Sequence, residues 1–276
     1  MCQTCGCAIT PGNEPLVAAE ATLYKGPRRS GGSTTVEVLS NLLAANDAEA
    51  AHNRAHLDQH GILAINLMSS PGSGKTSLLE ATIDALKDRV RIAVIEGDLA
   101  TENDAARIRA RGVPAVQITT GQACHLDAHM VHSALHQLDL SAMDVLFIEN
   151  VGNLVCPASF DLGHHLNITL LSVTEGDDKP AKYPVMFRVA DLVLLTKADL
   201  LDVLGDDFDV AAATSHVRAL ANDAPVLTVS TRRPDGIAGF IDWLGKQLAA
   251  RRAGAPQRPR IVRDEFAARH AAGSRP

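Results

Sequence analysis

A chain of 276 residues with 46% hydrophobic residues is long enough for one α/β domain of ordinary size or two small ones. Its formal net charge of −6 and pI near 6.0 give no attraction to phosphate backbones or anionic lipid, which argues against nucleic-acid and membrane-surface partners. No apolar run of about 18 residues and no leader pattern occurs, so neither a membrane span nor a secretory signal is expected, and a cytoplasmic location is.

The chain begins MCQTCGC, which places Cys2, Cys5 and Cys7 within seven positions. In a reducing compartment such spacing points to metal ligation or redox chemistry rather than disulfides. Three thiolates, with Gly6 letting the chain fold back and the terminal amine as a fourth donor, make a planar set that Ni2+ favours more than Zn2+ does. Iron–sulfur ligation, which usually takes four cysteines, is the weaker alternative. The following stretch is rich in Gly and Pro, so residues 1–34 read as a metal-binding segment on a flexible tether.

From Thr35 to about His60 the pattern turns helical, with Leu39, Leu42, Leu43 and Leu57 at suitable spacing and Gly61 as a stop. Seven short apolar runs follow: ILAINLM (62–68), RIAVIEG (91–97), AVQIT (115–119), DVLFIE (144–149), NITLLSV (167–173), DLVLLT (191–196) and PVLTVS (225–230). Their alternation with helical segments predicts an α/β fold: a mostly parallel sheet of about seven strands with helices on both faces. Thr101 and Asp104 resemble a capping box for a helix near Glu102. A last helix, GIAGFIDWLGKQLAA, is expected to end near Arg251, giving a domain over 35–250 and a disordered tail over 251–276.

Within INLMSSPGSGKTSLL a glycine-containing turn stands between a strand and a helix, the context of a phosphate-binding loop. Gly72 and Gly74 let the backbone of Gly72, Ser73 and Gly74 wrap an anion at the positive end of the helix dipole. Lys75 would reach the β- and γ-phosphates, Thr76 would ligate Mg2+, and Ser77 completes the loop. Ser69 stands where the usual motif has Gly. In LLTKADLL, Asp199 is placed to accept both guanine N1–H and N2–H2, with the Lys197 stem over the base. This resembles the NKxD guanine signature, with Thr196 in place of Asn; a strand-end turn with a capping Asp is the alternative.

Asp98 in IEGD and Glu149 in FIENVGN fall at the C-terminal edge of the sheet, where open α/β proteins bind ligands. Asp98 reads as a Mg2+ or water-positioning group, and Glu149 to Gly152 as a variant of the DxxG switch; helix capping is the alternative for each. Cys124 with His125, and Cys156, follow two different strands and supply three donors for Zn2+ or Ni2+, a fourth coming from water, a carboxylate or a partner subunit. Ordinary buried thiols are the alternative. His52, His56 and His60, and His129, His132 and His136, recur at helical spacing and are expected to be solvated helix faces.

Together CQTCGC, NLMSSPGSGKT, EGDLATENDAARI, TTGQACHLDAHMV, FIENVGNLVCPASFDLG, SVTEGDDKPAKYP and LLTKADLL resemble the HypB family of nickel-incorporation GTPases in nickel–iron hydrogenase maturation. The resemblance implies a SIMIBI-class P-loop fold and a slow GTPase that forms a GTP-promoted homodimer. It further implies a tight N-terminal nickel site at Cys2, Cys5 and Cys7, and a weaker Ni2+/Zn2+ site at Cys124, His125 and Cys156. It places Lys182 near the dimer contact, and it names other hydrogenase-maturation proteins as partners, with the hydrogenase large subunit as nickel acceptor. A metal buffer with a vestigial nucleotide site, motivated by Ser69 and Thr196, is the competing reading, and an ATP-dependent enzyme of the same class is a third.

Overall fold

The computed structural model describes residues 33–98, 103–121 and 123–254. Cys2, Cys5 and Cys7, the tether, Thr101, Glu102 and residues 255–276 lie outside the described residues. The first helix, α1 (Ser33–Gln59), leads into β1 (Leu63–Ser69), and α2 (Lys75–Leu86) connects it to β2 (Ile92–Asp98). Then come α3 (Asn103–Arg109), β3 (Ala115–Thr119), α4 (Ala128–Leu135), β4 (Val145–Glu149) and β5 (Leu166–Ser172). Two short helices, α5 (Lys179–Lys182) and α6 (Pro184–Arg188), precede β6 (Leu192–Thr196). The chain continues through α7 (Leu201–Leu204), α8 (Val210–Ala219) and β7 (Val226–Thr228) to α9 (Ala238–Arg252).

All strand pairs are parallel, in the order β3-β2-β4-β1-β5-β6-β7. Every residue of β1 is buried, which is why its sequence is mostly apolar, interrupted only by the buried Asn66 and Ser69, and does not alternate. Leu63, Ile65 and Leu67 pack with Leu78, Leu79 and Ile83 of α2 on one face, while Ala64 packs with Leu57 and Val131 on the other. At about 1.5–3 kcal/mol for each fully buried Leu or Ile, this two-sided burial is the main source of stability. Met68, Leu171, Phe187 and Leu195 form a third apolar group toward the β6 side.

The chain runs from β1 out to β2 and β3 on one side, and after β4 it crosses β1 to build β5, β6 and β7 on the other. That reversal opens a crevice at the C-terminal ends of the central strands. The seventh run is shorter than its sequence suggests: β7 stops at Thr228, because the chain then folds back and the Ser230 amide bonds the Gly236 carbonyl. His165, at the entry to β5, accepts a hydrogen bond from the Ala64 amide at 2.8 Å, and its other ring nitrogen meets Asp58 of α1 at 3.0 Å. Arg251 of α9 also bonds Asp58, so the first and last helices are tied at one point. No helix among the described residues is long and apolar enough to cross a membrane.

Candidate functional site

The loop after β1 bends through two left-handed glycines, Gly72 at φ 73° and Gly74 at φ 94°, conformations that side-chain-bearing residues rarely adopt. Gly74 is also the N-cap of α2, so the loop's backbone meets the positive end of that helix. Lys75 and Thr76 are buried directly behind it. The Lys75 ammonium donates to Ser69 Oγ at 3.0 Å and lies 3.9 Å from Glu149. The serine in the unusual first position therefore holds the lysine in place. Ser70 and Ser73 donate to Glu175, the latter at 2.5 Å.

Lys75, Thr76, Asp98, Glu149 and Gly152 line one cleft together with Glu96. Thr76 Oγ1 donates to Glu149 at 3.0 Å. Burial, and then the Glu149 charge beside it, raises the Glu96 carboxyl far above the ordinary range. Burial also raises Glu149, against the opposing pull of Lys75. One carboxyl oxygen of each is buried without a hydrogen-bond partner. Two crowded acids with orphaned oxygens beside a threonine hydroxyl form a donor set suited to a hard divalent cation. Sequence reasoning singled out Asp98 and missed Glu96, although both lie on one face of β2, two residues apart. Asp98 is half-buried at the strand's end.

Gly152 approaches the loop closely: a Cβ there would stand 2.8 Å from Pro71 Cα and 2.9 Å from Pro71 N. A continuous second cleft, sharing Gly74 and Ser77 with the first, is lined by Ser73, Thr196, Lys197 and Asp199. Lys197 has φ 58°, uncommon for a residue with a side chain, and this bend carries the chain out of β6 toward the cleft. Asp199 accepts from Ser230 at 2.6 Å, a bond that lowers its carboxyl below the ordinary range. Thr196 Oγ1 donates to the Ser73 carbonyl at 2.7 Å, so the residue replacing Asn does brace the phosphate loop.

On the other side of the crevice, Cys124, His125 and Cys156 converge, their donor atoms all within 4.8 Å of one another. The two sulfurs are 3.2 Å apart, beyond the roughly 2.05 Å of a disulfide. His125 stacks on Phe160 at 3.9 Å, and burial lowers its pKa to about 4, which keeps the imidazole neutral and able to donate its lone pair. Two soft sulfurs and an imidazole suit Zn2+ or Ni2+. Asn150, fully buried, links the two halves: its side-chain oxygen accepts from the Leu126 amide at 3.1 Å and from the Val151 amide at 3.0 Å. The loop carrying Cys124 and His125 is thus bonded to the segment that contains Gly152 and leads to Cys156.

The histidine stripes are largely solvated, as expected: His52, His60, His129 and His136 are exposed, and His56 and His132 are half-buried. What the spacing did not show is that, where α1 packs on α4, His52 and His56 face His132 and His136. Lys182 is exposed and paired with Asp178 one helical turn away.

Residues 63–228 match the family model of the CobW/HypB/UreG nucleotide-binding domain. The hydrogenase maturation factor HypB of Rhizobium leguminosarum bv. viciae is 54% identical over 218 residues, covering 79% of this chain and 72% of that one. Its counterpart from Azotobacter chroococcum is 50% identical over 244 residues, covering 86% and 79%. Among solved structures, HypB from Helicobacter pylori in complex with nickel superposes with a TM-score of 0.73 at 44% identity, covering 79% of this chain and all of that one. HypB from Archaeoglobus fulgidus gives 0.69 at 40% identity over 75% of this chain. With a glycine-hinged loop, a braced second cleft and relatives this similar over most of its length, the chain belongs to the HypB family of hydrogenase maturation factors.

Proposed function

We propose that this chain is a GTP-hydrolysing nickel metallochaperone of nickel–iron hydrogenase maturation, in which nucleotide state governs dimerisation and metal release. The observation that carries the reading is the continuity from the phosphate loop, packed against Gly152 at Pro71, through the hydrogen bonds of Asn150, to the Cys124, His125 and Cys156 donors. Gly72, Ser73, Gly74, Lys75 and Ser77 hold the phosphates, and Lys197 and Asp199 hold the guanine. Thr76 and Asp98 hold Mg2+, which supplies charge neutralisation at the phosphates when bound. Glu149 and Gly152 relay the state of the terminal phosphate. The nickel found in the Helicobacter pylori relative is the cargo assigned to Cys124, His125 and Cys156, with Zn2+ as competitor. Cys2, Cys5 and Cys7 form a separate, tighter nickel site, and residues 1–34 tether it to the nucleotide domain over 35–250.

The protein acts in the cytoplasm as a GTP-promoted homodimer, with other hydrogenase-maturation proteins and the hydrogenase large subunit as partners. Both departures that motivated a vestigial nucleotide site have structural work here, Ser69 holding Lys75 and Thr196 holding Ser73. The deciding experiment titrates Ni2+ and Zn2+ with GDP and with a non-hydrolysable GTP analogue bound. A nickel affinity that changes between the two supports the reading, and identical isotherms overturn it. Lys75→Ala should abolish hydrolysis while leaving N-terminal nickel binding intact; equal loss of both contradicts the separation of sites.

A further inference from the structure

A second group of metal-ligating side chains lies where α1 packs on α4, away from the nucleotide crevice. His52 and His56 are four residues apart on α1, and His132 and His136 are four apart on α4. Each pair therefore projects from one face of its helix, the spacing by which two helical imidazoles hold zinc. The rings close a quadrilateral: centroids are 5.1 Å apart for His52 and His132, and 4.5 Å for His132 and His136. They are 6.3 Å apart for His136 and His56, and 6.1 Å for His56 and His52. Four imidazoles around a tetrahedral Zn2+ with bonds of about 2.0 Å have all their centroids about 5 Å apart; the His52–His132 and His132–His136 edges are near that value, and the two edges to His56 are longer, so its ring must turn inward for the set to close.

The surroundings orient these rings as ligands. Buried Asn53 donates its amide to the carbonyls of Ala128 at 2.7 Å and Leu162 at 3.2 Å, which fixes its oxygen toward His132. His132 Nδ1 lies 2.9 Å from that oxygen and 3.3 Å from a Glu49 carboxylate oxygen, so Nδ1 carries the proton. Nε2 is left with its lone pair, 3.0 Å from Nε2 of His136. A carboxylate and an amide oxygen behind a histidine is the arrangement that supports metal-bound imidazole. On the facing helix, Nδ1 of His56 is buried with no hydrogen-bond partner, an orphaned donor atom beside the same ring set.

We propose that His52, His56, His132 and His136 form an imidazole-only site for a first-row divalent transition ion, Zn2+ foremost, on which the rings close by side-chain rotation. The ion displaces the proton shared between His132 and His136 and staples α1 to α4. Because α4 begins three residues after His125, the staple fixes the helix that follows the Cys124–His125 loop. This inference does not depend on the nucleotide or nickel reading.

The test removes every thiol, replacing Cys2, Cys5, Cys7, Cys124 and Cys156 with Ser, and measures Zn2+ by equilibrium dialysis. One equivalent should remain bound, should be lost in the added pair His52→Gln and His136→Gln, and should survive His129→Gln. Co2+ in the same site should show tetrahedral d–d bands without thiolate charge transfer. A thiol-free chain that binds no Zn2+, or binding indifferent to His52 and His136, overturns the proposal. If the thiol-free chain does not fold, the comparison moves to the natural chain. There His52→Gln with His136→Gln should remove one equivalent and leave the thiolate-to-Co2+ band unchanged; unchanged stoichiometry overturns the site equally.

Discussion

Thr196 and Ser73, separated by 123 positions, are joined by a hydrogen bond of 2.7 Å from the threonine hydroxyl to the serine carbonyl. The end of β6 and the loop after β1 are therefore tied together, and the two clefts, assigned above to base and phosphate, share a wall. Thr196→Val keeps the shape and removes the bond, leaving the buried Ser73 carbonyl unsatisfied at a cost of about 1–3 kcal/mol. GTP-analogue affinity should fall between about 5-fold and 150-fold by that figure, and Thr196→Asn should restore most of it. Equal affinities in all three proteins would remove the brace from the account.

The Asp199 carboxylate, kept ionised by its bond from Ser230, is the proposed reader of guanine. Asp199→Asn exchanges an acceptor for a donor and should weaken GTP by at least about tenfold, since hydrogen bonds to charged groups carry about 1.5–3 kcal/mol. Xanthosine triphosphate, which presents the complementary pattern, should bind the variant better than GTP does. Competition binding with the two nucleotides measures the switch.

Glu96 holds a proton at neutral pH because burial, and then the neighbouring Glu149 charge, raise its carboxyl, while Lys75 and the contact with Glu96 oppose the effect of burial at Glu149. A divalent cation with nucleotide should expel it. Calorimetry of Mg2+–GTP binding in buffers of different ionisation enthalpy should show about one proton released near pH 7, and Glu96→Gln should abolish the release. Buffer-independent heats in the natural protein would contradict the pairing.

Gly152→Ala places a methyl group 2.8 Å from the Pro71 backbone, which cannot yield without moving the phosphate loop. The expected phenotype is selective: near-native thermal stability, with nickel affinity no longer different between GDP and GTP-analogue states. Retention of that difference would show that the contact transmits nothing.

His165 is buried and neutral, its pKa lowered to about 4 first by burial and then by the Arg251 charge, against the pull of Asp58. Arg54 adds a smaller lowering. In the unfolded chain this imidazole titrates near 6.5, so between those values the unfolded state binds more protons and stability falls as pH falls. Its contribution is complete above about pH 6.5 and lost as pH drops through about 4. Urea melts at pH 7, 5.5 and 4.5 should show declining stability, and His165→Asn should flatten that part of the curve from a lower starting value.

The seven-stranded sheet was legible because buried parallel strands write themselves as near-continuous apolar runs, as in LAINLMS of β1. The phosphate loop was legible because Gly72 and Gly74 must adopt left-handed backbone. What escaped were roles set by distant partners. Glu96 reads as one more residue of a strand until β4 brings Glu149 beside it, and Glu175 reads as loop until Ser70 and Ser73 meet it. The histidine stripes read as wet helix faces, and most of these rings are exposed, but periodicity reports a face and not what it touches; only the packing of α1 on α4 sets them against each other. Thr196 looked like a defect because a motif comparison scores identity, whereas the loop requires only a donor at that point.

The trio of Cys124, His125 and Cys156 leaves one vertex of a tetrahedral ion unclaimed. Substitution at such a centre proceeds by adding the incoming group before the outgoing one departs, through a transient five-coordinate complex. In the proposed hand-over, a recipient would bond to the ion while these three residues still hold it, and no aquated cation would need to cross the surrounding solvent.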